Sequence, residues 1–319
     1  MLLAEPCSLH FRAFLLLLLL AGGLASAQQS SAPPVPDVPS AETADKRLIL
    51  HLVARSDWAQ QSMEIVKGLI LFQGRLNNRP ATILLDNGTE RTVVDTGFTR
   101  QAGVPIGEAA GDTLTGTGRI ATFRTGRTVL EVPHAFTMSG ELASFDLSAM
   151  SHALGRQVDI VLGGDATSVM AVMLQPDRKQ LTFVSSGSIK LDGPDVVRLP
   201  LLTGNLIDAA INGHKVGLLV DFGYSGAVRL SDTAWKQVMG ESNVGVAGQN
   251  GITADGTVLR SRVAPGALSI GRISSEAAPI ASGYVPVGAS EGLLGTGFFL
   301  QGTTVVDGPA RQVMLIVRR

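Results

Sequence analysis

Two aspartates stand at the same point of a repeated phrase. The first copy reads Ile83-Leu84-Leu85-Asp86-Asn87-Gly88-Thr89 and the second Leu218-Leu219-Val220-Asp221-Phe222-Gly223-Tyr224. In each, an apolar run ends on an aspartate and turns at a glycine two residues later. Two carboxylates held about 3 Å apart cannot both ionise cheaply, so such a pair retains one proton. The ionised member can take a proton from water while the protonated member hydrogen-bonds the carbonyl under attack. No metal or cofactor is needed for that chemistry, and its apparent pKa values belong to the pair.

The elements that must position these residues are also repeated. Upstream, alternating apolar segments flank Asn77-Asn78 and Asn212-Gly213, dipeptides suited to two-residue hairpin turns. Downstream lie short apolar segments, Thr92–Val94 and Ala227–Leu230. Asp95 and Ser231 then suit helix N-caps, and Gly103 and Gly240 suit helix ends. Later come Val161-Leu162-Gly163 and Leu293-Leu294-Gly295. Gly163 follows Asp86 by 77 residues and Gly295 follows Asp221 by 74 (163 − 86 and 295 − 221). Each copy closes on two apolar segments around a turn, Gln175-Pro176-Asp177 in one and Asp307-Gly308-Pro309 in the other. Matching order and spacing over four features mark a tandem duplication.

On these residues the chain resembles the retropepsin and pepsin clan of aspartic proteases, in its single-chain, two-repeat bacterial form. The resemblance runs over residues 64 to 317. It implies an all-β, two-lobed fold with pseudo-two-fold symmetry, the lobes spanning 46–192 and 193–319. It implies Asp86 and Asp221 as the catalytic pair, supported by Asn87, Gly88, Thr89, Phe222, Gly223, Tyr224, Gly163 and Gly295. Gly163 and Gly295 would lie under the aspartate loops where chains cross closely. The implied substrate is an extended polypeptide, bound strand-like between β lobes. The literal triplet Asp95-Thr96-Gly97 matches the family signature better than Asp86-Asn87-Gly88. Asp95 lacks the apolar hairpin strand leading into it, however, and aligns with Ser231, so it reads as a helix cap.

The departures concern the loops. The family places Thr or Ser after the aspartate, and its hydroxyl bonds across to the other loop. Here Asn87 retains hydrogen-bonding groups and Phe222 has none. Thr89 can bond its carboxylate, whereas Tyr224 would have to reach from a longer arm. Two functions therefore stay open: an endopeptidase, or a catalytically inactive module that keeps the cleft to bind peptides or a partner. Glycine-rich Thr113–Thr125 and Ala247–Val258 occupy the places of cleft-covering hairpins.

Other chemistries find little support. Charged residues are 17% of the chain and the net charge is −1, so no basic footprint for nucleic acid is visible. Gly116–Ala121 fits a dinucleotide fingerprint without a βαβ setting, and no Gly-x-Ser-x-Gly elbow occurs. His51, His134, His152 and His214 are scattered rather than paired at ligand spacing. The apolar run after Arg12 and the small-x-small Ala25-Ser26-Ala27 read as a secretory leader cleaved after Ala27. Cys7 leaves with it, and a proline-rich tether covers 28–45. The expected location is periplasmic or secreted, with no stable membrane anchor once the leader is removed. The Asn87-Gly88-Thr89 sequon is then without consequence.

Overall fold

The structure, a computed structural model, describes residues 48–53, 60–115, 118–241, 245–248, 251–253, 257–286 and 291–317. The expected leader (1–27) and tether (28–45) lie outside them. Residues Asp45–Arg319 form one compact unit, predominantly of β-strands. No helix among the described residues is long and apolar enough to cross a membrane.

Each half opens on a hairpin. Strands Leu69–Leu76 and Arg79–Leu85 meet at Asn77-Asn78, and strands Leu206–Ile211 and His214–Asp221 at Asn212-Gly213. All four turn residues have positive φ, between 47° and 83°. That left-handed pair matches the right-handed twist of the flanking strands, and Asn and Gly tolerate it best. Strands Val93–Asp95 and Val228–Leu230 follow, each running into a short helix, Thr96–Gln101 or Asp232–Met239. Both N-caps are as expected: Phe98 N–H donates to Asp95 Oδ2 at 2.8 Å, and Ala234 N–H to Ser231 Oγ at 3.2 Å.

The apolar-apolar-glycine segments are the innermost strands of their halves. Ile160–Leu162 runs parallel to Arg79–Leu85, the strand leading into Asp86, and antiparallel to Val93–Asp95. Gly292–Gly295 does the same between His214–Asp221 and Val228–Leu230. A strand paired on both edges and covered on both faces has no reason to alternate, hence its unbroken apolar run.

The halves share one antiparallel arrangement whose order is Val196–Pro200, Gln312–Ile316, Thr304–Asp307, Ala171–Gln175, Gln180–Val184, Gln60–Val66. At its centre Met173 pairs with Val305. Met173 lies ten residues past Gly163 and Val305 ten past Gly295 (173 − 163 and 305 − 295), so equivalent residues face each other. In an antiparallel ladder that occurs where a two-fold axis passes between the strands. The sequence boundary at 192/193 therefore divides the repeats but not the packing. Strands from both halves build this sheet, and one hydrophobic cluster contains core residues from each.

Candidate functional site

Both aspartate turns close in the same way. Thr89 N–H donates to the Asp86 carbonyl and Tyr224 N–H to the Asp221 carbonyl, each at 3.3 Å. Within the turns, Gly88 N–H reaches Asp86 Oδ1 at 3.0 Å and Gly223 N–H reaches Asp221 Oδ1 at 2.8 Å. Sequence thus sets each carboxylate against the backbone amide two residues on, the geometry that aspartate favours in turns.

The two turns face one another. A Cβ on Gly88 would stand 2.6 Å from Asp221 Cγ, and one on Gly223 would stand 2.6 Å from Asp86 Oδ2. Neither glycine has positive φ. Glycine is required here for the close approach of the opposite carboxyl, not for its dihedral freedom. At Gly163 and Gly295 another stretch of chain passes close. A side chain at Gly163 would come within 2.6 Å of the Arg91 carbonyl, and one at Gly295 within 2.6 Å of Tyr224 Cδ1.

The cross-loop tie is made from one side. Asn87 Nδ2 donates to the Val220 carbonyl at 3.0 Å, and Phe222 N–H donates to Asn87 Oδ1 at 2.7 Å. The amide carries a donor and an acceptor on one planar group, so a single residue holds the backbone on both sides of Asp221. Phe222 instead turns into the core and packs edge-on against Phe299, with centroids 5.5 Å apart. A further tie joins the halves where Thr296 Oγ1 donates to the Gly68 carbonyl at 2.6 Å.

The carboxylates differ in surroundings. Asp86 accepts from Gly88 N–H, from Thr89 N–H at 3.1 Å and from Thr89 Oγ1 at 2.7 Å, and it keeps partial exposure. Burial raises its pKa against those bonds, which favour the charged form. Asp221 is buried; burial first, then the charge of Asp86, push it up to about 7. Hydrogen bonds from the Gly223 and Tyr224 amides and the charge of Arg229 oppose that rise. Asp86, with three donors, is the better seat for negative charge, and Asp221 for a proton.

Tyr224 does not supply the bond that Thr89 gives. Its hydroxyl donates to the Val228 carbonyl at 3.3 Å, and its ring lies under the guanidinium of Arg229, 4.5 Å from carbon to centroid. The sequence alone gives Arg229 no role. The signal for it was an arginine in a three-residue apolar strand whose counterpart is apolar.

Asp95 stays apart from the pair. Besides Phe98 N–H it accepts Leu147 N–H on Oδ1 at 2.8 Å, so both its oxygens serve backbone. It borders an open cavity of about 1020 Å³, with Arg100, Asp146 and His152, that includes neither Asp86 nor Asp221. Of the expected covers, 113–125 belongs to a hairpin of strands Ile106–Thr115 and Gly118–Val132. Its Ile120 packs on the cluster containing Leu84, Val93 and Val161. Across 247–258 are the short strands Val246–Ala247, Gly251–Ile252 and Val258–Leu259, and Gly116 and Gly256 lie outside the described residues.

In comparisons with known proteins, the chain matches no family model and no curated protein.

Proposed function

We propose that this chain is an exported aspartic endopeptidase with a two-lobed pepsin- and retropepsin-like fold. The observation that carries the reading is the reciprocal placement of Asp86 and Asp221, each carboxyl lying over the glycine of the other's turn. Water held between them loses a proton to ionised Asp86 as its oxygen bonds to the peptide carbonyl carbon. The proton on Asp221 moves to the carbonyl oxygen, giving a neutral gem-diol. Collapse reverses these roles: Asp221 takes back a hydroxyl proton, the proton on Asp86 passes to the amide nitrogen, and the C–N bond breaks.

A second reading has one observation in its favour. Tyr224 is turned to Val228 and Arg229, so Asp221 lacks the hydroxyl donor that Asp86 has in Thr89. In that reading the cleft binds peptide without turnover.

The chain lacking residues 1–27 should be incubated with a denatured polypeptide across pH 3–8, beside Asp86→Asn and Asp221→Asn, and products identified by mass spectrometry. Cleavage by the wild type, lowered roughly 10²–10⁴-fold or more by either substitution, is the expected result. Turnover indifferent to both substitutions eliminates the pair. Saturable peptide binding without turnover assigns the cleft to binding alone.

A further inference from the structure

Arg229 is 7% exposed, and its Nε is buried with no hydrogen-bond partner. Val228 and Leu230 on either side are fully buried in the main core, so strand alternation aims Arg229 at the opposite face. There it pairs in register with Leu293, two residues before Gly295. Its counterpart in the first half is Val93, in register with Val161, two residues before Gly163. Val93 and Val161 belong to an apolar cluster with Leu84, two residues before Asp86. One half therefore packs these positions into an apolar core cluster, and the other half has a cation at the equivalent place.

Among the described residues the surroundings of that cation are incomplete. The Tyr224 ring covers one face of the guanidinium, and the Tyr224 hydroxyl is in contact with it. The backbone of Gly251 passes close by: a Cβ there would lie 3.3 Å from Arg229 Nη2. Among the described residues no carboxylate comes within ion-pairing distance of Arg229. A guanidinium has five donors in a fixed fork, and leaving one buried and unmet is costly unless a ligand completes the set. The group that fits the fork is a planar carboxylate.

We propose that Arg229, backed by Tyr224, forms a carboxylate-binding subsite beside the aspartate pair that selects an Asp or Glu side chain on one side of the scissile bond. The inference rests on the endopeptidase reading for the word scissile, and on Arg229 alone for the acidic preference. With one proton on the pair, the positive charge of Arg229 balances its remaining negative charge, so an incoming carboxylate meets no net repulsion.

A hexapeptide library carrying Asp or Asn, and Glu or Gln, at each position in turn separates the two claims. It should be assayed at pH 6, where these side chains are ionised. Cleavage is read by mass spectrometry with the wild type, and binding by anisotropy with Asp86→Asn. At one position the acid is expected to exceed its amide roughly ten- to a hundred-fold, the worth of hydrogen bonds to a charged group. Arg229→Leu should bring that ratio near one, and Arg229→Lys should keep part of it. Cleavage without acidic preference at any position overturns the subsite and leaves the endopeptidase. Acid-selective binding without cleavage keeps the subsite and removes the endopeptidase, and equal binding without cleavage removes both. An unchanged ratio in folded Arg229→Leu also overturns the subsite; should that variant not fold, the wild-type ratio and Arg229→Lys decide.

Discussion

Asn87 spans the gap between the two aspartate loops with one amide, satisfying the Val220 carbonyl and the Phe222 amide on either side of Asp221. Truncation to alanine leaves both backbone groups without partners in a part-buried place. Each such loss costs about 1–3 kcal/mol, so Asn87→Ala should destabilise the protein by about 2–4 kcal/mol in urea unfolding. A change within about 0.5 kcal/mol would mean the tie carries no load. Asp221 adds a pH dependence whose sign is fixed by its environment. A carboxyl with a raised folded-state pKa holds its proton more tightly folded than unfolded. Its stabilisation is complete below the unfolded value near 3.8 and is lost as pH rises through about 7. The thermal midpoint should therefore fall between pH 4 and 7, and Asp221→Asn should flatten that fall. Some slope will persist, because burial also raises Asp86, Asp159 and Asp165. A midpoint that climbs over this interval contradicts the assignment. In the endopeptidase reading, turnover should fade as pH rises through about 7, where the folded protein loses the proton on Asp221.

At the scale of elements, Asp95 shows how a short signature misleads and its setting corrects it. The strand Val93–Asp95 ends on a carboxylate that caps Thr96–Gln101 and also receives Leu147 N–H. Asp95→Ala should cost about 2–3 kcal/mol in stability, from the lost cap and a second unmet amide. Turnover per folded molecule should survive, in contrast to Asp86→Asn; a loss as deep as that of Asp86→Asn would return Asp95 to the site. The hairpins, caps and innermost strands were legible because each rests on local chemistry: turn residues, side-chain caps and apolar runs. Arg229 was not legible as a ligand-facing group. Its sequence neighbours are apolar, and only the pairing with Leu293 and the alternation around it reveal the face it occupies. The reach of Asn87 was hidden for a related reason. An asparagine announces a donor and an acceptor, but their partners, 133 and 135 residues away, are set by how the halves meet.

For the whole molecule, the decisive contact is the pairing of Ala171–Gln175 with Thr304–Asp307, where each repeat lays the same strand against its equivalent. Repetition points to two lobes; pairing about Met173 and Val305 joins three strands of the second half to the sheet of the first, while its Asp221 hairpin stays in a sheet of its own, which spacing alone does not disclose. Cutting the chain at the repeat boundary tests this directly. A fragment of residues 46–192 would expose the edge of Ala171–Gln175 and uncover Ala171 and Met173, both buried in the intact protein. An unpaired, flat apolar edge seeks another strand. Because its natural partner is related to it by a two-fold, a second copy of the fragment presents the right edge in the right direction, and the contact closes on itself. The fragment is expected to sediment as a homodimer, with Met173 of one copy opposite Met173 of the other. Met173→Asp should drive it to monomer or to unfolding, since it sets two like charges against each other in a buried pair. A monodisperse, cooperatively melting wild-type monomer would show instead that each half completes its own core, and that the shared sheet only docks two independent domains.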